Sequence, residues 1–414
     1  MRASCALLLS AIPLFISGCS SSSGSSKGDE NAVTTSAKQV PFTTAASSER
    51  DVGTTTTFLG TTEASQSTTT TATTRFPVSN ITNGHKMGIY SWSQNYWRQG
   101  DPALTDFIQT DRGRTWDYGE LYINVADSTN YDLIVDQDKL VNWMKKWRQV
   151  SGNDEVIWMT YGDVVERNGT KMVEFVNTFK SFLTNSVSAQ DMSVIGPIGI
   201  SFDVEDVPDN FYKEALVNAQ QMVKDVEQSM GYPPHSILVG STIEGEKNQL
   251  ETAYVMQYAD RALMMLYRNT VDETHADDLV EQMQWMMTEQ CAVCTEPGWE
   301  NLRAKITIMV EGSCKMGHGC GKMSMCVKDT TKYPDPNGGI EYIWNTLEEL
   351  TKDIVPEGIL TQEQYNKLFL TDGTLYAIHN WDWSRCFYGD DFSREHNYTN
   401  CENYHTMADT CRGK

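Results

Sequence analysis

Two carboxylates stand two residues apart at the end of an otherwise apolar run, Ile198-Gly199-Ile200-Ser201-Phe202-Asp203-Val204-Glu205. Alternate side chains of an extended strand share a face, so Asp203, Glu205 and Ser201 are expected to point the same way. Neighbouring carboxylates repel, and one member of such a pair can be held protonated near neutral pH, as a general acid requires. Glu311 ends a second apolar run, Lys305-Ile306-Thr307-Ile308-Met309-Val310-Glu311. The structural alternatives are plain. Asp203 could cap a helix or pair with Arg268, Glu205 could be solvated, and Glu311 could form an ion pair with Arg268.

Aromatic and basic residues gather after other apolar runs. Tyr90-Ser91-Trp92 closes the first, Tyr267-Arg268 closes another, and Asn380-Trp381-Asp382-Trp383 follows Thr374-Leu375-Tyr376-Ala377-Ile378-His379. Aromatic faces stack on C–H surfaces, and carboxylates bind hydroxyls or move protons. Tyr90, Trp92, Tyr267, Arg268 and Trp381 are therefore the candidate binding residues, with Glu205, Asp203 and Glu311 the candidate catalytic ones. No Gly-x-Ser-x-Gly elbow, phosphate loop or His-Glu-x-x-His helix occurs, so neither a cofactor nor a metal is expected.

Eight short β-rich runs must position these residues: 87–91, 120–125, 155–161, 198–205, 236–241, 262–267, 305–311 and 374–379. Helical stripes fill the gaps. In one, Tyr212, Leu216, Ala219, Met222, Val223, Val226 and Met230 recur near a 3.6-residue period. The stretches 138–150, 172–183 and 274–287 look alike. Strands alternating with helices imply parallel pairing, and eight such units predict an α/β fold, a (β/α)8 TIM barrel. The rival is a doubly wound open sheet, which usually carries a Gly-rich loop after its first strand. Ser91-Trp92-Ser93-Gln94 is not one. In a barrel the candidate residues would share the C-terminal rim.

The run from Gly199 through Ser201 and Asp203 to Glu205 resembles the strand-four signature of chitinase-type (family 18) glycoside hydrolases, Asp-Gly-x-Asp-x-Asp-x-Glu. Ile198 stands for its first Asp and Ser201 for its second. Leu266-Tyr267-Arg268 is similar to the Met-x-Tyr segment of strand six, and Trp381 to the tryptophan ending strand eight. The resemblance touches only a few residues of each strand. It implies a secreted hydrolase cleaving an O-glycosidic bond in a poly- or oligosaccharide. Glu205 would be the general acid, Asp203 would hold a substrate acetamide, and Tyr267 would support it. Glutamates ending strands four and seven also resemble retaining glycosidases, in which Glu205 and Glu311 would stand roughly 5 Å apart. A degenerate barrel that binds glycans as a lectin-like or wall-associated module is the competing reading, and a hydrolase of other bonds is a third.

The remainder of the chain sets the compartment. Residues 1–19 read as a secretory signal, with an apolar run from Ala6 to Ile16 and Cys19 placed where a bacterial lipoprotein would carry lipid. Residues 20–84 are Ser/Thr-rich and read as a disordered stalk, leaving 85–414 for the barrel. Sequons at Asn80, Asn168 and Asn397 favour a eukaryotic secretory route. Beyond Cys5 and Cys19, eight cysteines follow residue 290, and in an exported chain an even number reads as disulfides. They would stiffen the loop after strand seven (Cys314, Cys320, Cys326) and a Cys-rich C-terminal tail (Cys386, Cys401, Cys411). Zinc held by Cys291, Cys294, His318 and Cys320 is the alternative. The formal charge of −22 argues against nucleic acid and anionic membranes as partners. A secreted or cell-surface monomer acting on carbohydrate is expected; in a bacterium a lipid on Cys19 would be its one membrane contact, and in a eukaryote the same residues would be an ordinary cleavage zone.

Overall fold

The computed structural model describes residues 85–109, 118–127, 134, 136–163, 170–204, 209–243, 249–266, 284–311, 352–370 and 373–379. The expected signal, stalk and sequon asparagines lie outside these residues, as do the cysteines of the 314–326 loop and of the tail. The barrel belongs to the compact unit Ala72–Lys414.

Eight strands form a closed ring. They are β1 (Lys86–Ser91), β2 (Tyr118–Asp127), β3 (Ile157–Asp163), β4 (Ile198–Val204), β5 (Ile237–Ile243), β6 (Arg261–Met265), β7 (Lys305–Glu311) and β8 (Thr374–His379). Each pairs in parallel with its sequence neighbours, and β8 pairs with β1. That last pairing excludes the open sheet and makes the fold a (β/α)8 barrel. All seven residues of β4 are buried, as expected for a strand with side chains inside and helices outside.

The outer helices bury one stripe each. In α1 (Gln137–Ser151) the stripe is Leu140, Val141, Trp143, Met144 and Trp147. In α2 (Thr170–Ser186) it is Met172, Phe175, Val176, Phe179, Phe182 and Leu183. The spacings of three and four residues place these side chains on one helix face. The short α3 (Ala189–Ile195) starts in a capping box, with Ser188 and Asp191 bonding each other's backbone N–H. The long α4 (Asp209–Met230) buries the expected stripe from Tyr212 to Val226, and α5 (Gln249–Tyr258) follows β5.

The barrel interior is filled by a row of aromatic rings. Tyr90, Tyr122, Trp158 and Gly199 are successive register partners on β1 to β4. The rings of Tyr90 and Tyr122 stack at 5.9 Å and 12°, and those of Tyr122 and Trp158 at 5.8 Å and 4°. The Trp158 indole ends the row over Gly199 and Gly240. A methyl on Gly199 would fall inside the indole's van der Waals envelope, and one on Gly240 would stand 2.9 Å from Cζ3. Three large rings fit because two facing strands offer no side chain there.

At the N-terminal end of the barrel the Arg261 guanidinium grips the Glu120 carboxylate through Nε and Nη2. Glu120 also accepts from the Tyr122 hydroxyl and from Trp158 Nε1 at 3.0 Å. Burial opposes the charge of Arg261, yet Glu120 beside it holds the guanidinium above its ordinary value. Nearby, Arg148 donates to the carbonyls of Ile195, Pro197, Asn153 and Glu155, tying the entries of β3 and β4 to α1. These charges serve the stable end of the barrel.

Cys291 and Cys294 are bonded to each other and fully buried. A disulfide sulfur has no thiolate to offer, which removes the zinc alternative for this pair. The other two members of that set, His318 and Cys320, lie outside the described residues. Among the described residues no helix is long and apolar enough to cross a membrane.

A polar and aromatic candidate site at the C-terminal mouth

Strand direction decides which residues reach the mouth. Tyr90 is the penultimate residue of β1, Asp203 that of β4, Thr242 that of β5, and His379 is the last of β8. Asp203 is buried, and both its oxygens are held. The Tyr90 hydroxyl donates to Oδ2 at 2.7 Å, and Thr242 Oγ1 donates to Oδ1 at 3.0 Å. A buried carboxylate is tolerable when hydroxyls from two other strands satisfy it. Each oxygen keeps a further lone pair for a substrate hydroxyl or N–H. Asp203 therefore neither caps a helix nor lacks partners.

Trp92 packs on the tyrosine that holds this carboxylate. Its ring centroid is 5.4 Å from that of Tyr90, and its Nε1 donates to His379 Nε2 at 2.8 Å. An accepting Nε2 carries no proton, so the neutral His379 ring bears its hydrogen on Nδ1. The Tyr90 and His379 rings are 5.3 Å apart. Glu311, the last residue of β7, is the register partner of His379, so the ends of β7 and β8 meet at one height. One layer deeper, Thr160 on β3 and Ser201 on β4 are register partners. Both are fully buried, and neither hydroxyl has a hydrogen-bond partner.

Among the expected site residues, Tyr90, Trp92 and Asp203 come together, and the backbone of Glu311 ends at the same pole. Glu205, Tyr267, Arg268 and Trp381 lie outside the described residues. Three residues join the site that sequence reasoning did not select: Thr242, His379 and Gly162. Strand five was expected to end at Ser241, one residue short of Thr242. His379 closed the eighth expected strand, and a titratable residue at that place was the available signal. Among the described residues no group of three or more His, Cys, Asp or Glu could hold a metal ion.

The arrangement defines a class: a (β/α)8 barrel whose C-terminal mouth holds a carboxylate pinned by a tyrosine and a threonine. No protein-family model and no curated protein matches the chain. In fold it is similar to several solved chitinases. A chitinase from Ipomoea carnea is 11% identical, with 75% of this chain and 98% of that one covered and a TM-score of 0.37. A family 18 chitinase from Pseudoalteromonas aurantia is 9% identical, with 78% and 100% covered and a TM-score of 0.40. A chitinase from Bacteroides thetaiotaomicron is 9% identical, with 72% and 90% covered and a TM-score of 0.34. At such values no residue role is carried over from those enzymes.

Proposed function

We propose that this protein is a secreted hydrolase that cleaves an O-glycosidic bond in a poly- or oligosaccharide, with Glu205 as the proton donor. The observation that carries the reading is Asp203, a carboxyl group held on both oxygens by Tyr90 and Thr242 at the C-terminal end of β4, two residues before Glu205. A carboxylate fixed on both oxygens suits the positioning of a substrate hydroxyl or amide N–H, since it need not reorganise on binding. Trp92, which packs on the buried Tyr90 ring, supplies an aromatic face of the kind that sugar C–H surfaces stack on. Tyr267, Arg268 and Trp381 extend this surface in the proposal, and Glu311 is the second carboxylate if the mechanism is a retaining one.

The chemistry assigned to this chain is limited and specific. Glu205 protonates the leaving oxygen, and Asp203 orients the group that attacks or stabilises the sugar cation. The test is a panel of polysaccharides and chromogenic glycosides, including chitin oligosaccharides. Turnover that Glu205→Gln abolishes supports the proposal.

Ser201 favours a second reading. Its buried hydroxyl stands where the resemblance would put a carboxylate. A barrel with that loss could bind glycans as a lectin-like or wall-associated module. Binding to a glycan of the panel with no turnover of any would decide for it.

A further inference from the structure

Trp92 follows directly on β1, yet its indole does not project freely from the rim. It is fixed at both ends. At one end Nε1 donates to Nε2 of His379, on β8. At the other, Cζ3 and Cη2 lie over Gly162, on β3, so closely that any Cβ at that position would collide with the ring. Between these ends the indole rests against Tyr90, tilted by 51°. The ring thus reaches from β8 to β3 across the ends of β1 and β2, one side of the barrel mouth. His379 is buried, so it acts on a ligand only through the indole it holds.

We propose that His379 and Gly162 are positioning residues that hold Trp92 as a pre-set plate for the apolar face of a pyranose ring. This rests on the reading of the mouth as a glycan site. The physical advantage is preorganisation: an indole already ordered loses little rotamer freedom when a sugar stacks on it. His379 supplies an acceptor that a leucine lacks and that a glutamine amide oxygen can replace. Gly162 supplies room, which even one methyl group removes.

The test uses the full chain carrying 5-fluorotryptophan. The chain has 11 tryptophans, and Trp92→Phe identifies the fluorine signal of position 92. Without any sugar, His379→Leu and Gly162→Ala should each shift or broaden that signal and leave the others in place. His379→Gln should restore it. Chitotetraose and cellotetraose are then titrated, and for whichever binds the wild type, His379→Leu should weaken Kd about tenfold while His379→Gln stays close to wild type. A Trp92 signal unmoved in both His379→Leu and Gly162→Ala overturns the pinning. A moved signal with unchanged Kd overturns the plate. If neither sugar binds the wild type, the glycan reading of the plate falls, and the fluorine signal alone decides whether His379 and Gly162 fix the ring.

Discussion

The Tyr90 hydroxyl donates to Asp203 Oδ2 across 2.7 Å, joining the end of β1 to the end of β4 through residues 113 apart in sequence. The same phenol ring stacks on Tyr122, which bonds Glu120 in the Arg261 ion pair. One side chain therefore connects the packed interior to the mouth. Tyr90→Phe keeps the stack and deletes only the donor. The variant should fold and lose about 1–3 kcal/mol, because a buried carboxylate is left with one partner fewer. Urea denaturation of Tyr90→Phe and of Thr242→Val, which strips the other oxygen, measures both losses.

Substitution at the glycines beneath Trp158 should follow the space available. Gly199→Ala should destabilise more than Gly240→Ala, since its methyl would sit deeper in the indole. Forced overpacking of this kind costs about 1–3 kcal/mol. The two denaturation midpoints, compared in one buffer, check the order.

Much of this fold was legible in the sequence. Apolar runs set apart by helical stripes marked all eight strands, and the bounds expected for the seventh and eighth match β7 and β8. The bounds of the others differ by at most two residues at either end, and at β5 the polar Thr242 gave no apolar signal to extend the run. What periodicity does not encode is which side chains meet. Glu120 and Arg261 are 141 residues apart, and Trp92 and His379 are 287 apart. Those pairs exist because the ring closes and sets their strands at matching heights. The aromatic row was similarly hidden, since its fit depends on Gly199 and Gly240 facing a ring from β3.

Removing one partner of the Glu120–Arg261 pair should be costly. Glu120→Ala leaves a buried guanidinium with no counter-charge, a loss of about 3–5 kcal/mol. Replacing both residues, as Glu120→Leu with Arg261→Met, should recover most of that loss. A double-mutant cycle in urea measures the coupling.

Alkaline pH should weaken the fold through two phenols. Burial, and then Glu120, raise Tyr122 above its ordinary value. Burial, with a smaller push from Asp191, takes Tyr232 from 10.0 to about 12. Both groups keep their protons longer in the folded state than in the unfolded one. Their contribution is complete below about pH 10 and falls as pH rises beyond it. Tyr232→Phe should flatten the decline in unfolding free energy between about pH 10 and 12. Unfolding free energies measured across that range provide the check.

The central claim is that the carboxylate pinned by Tyr90 and Thr242 belongs to a working glycan site. Asp203→Asn tests it most directly, because the amide fills the same space without the charge. Turnover of the best substrate from the glycoside panel, measured beside wild type, should fall by about a hundredfold or more while the circular dichroism spectrum of the barrel persists. A folded Asp203→Asn protein that cleaves that substrate at the wild-type rate would contradict the account.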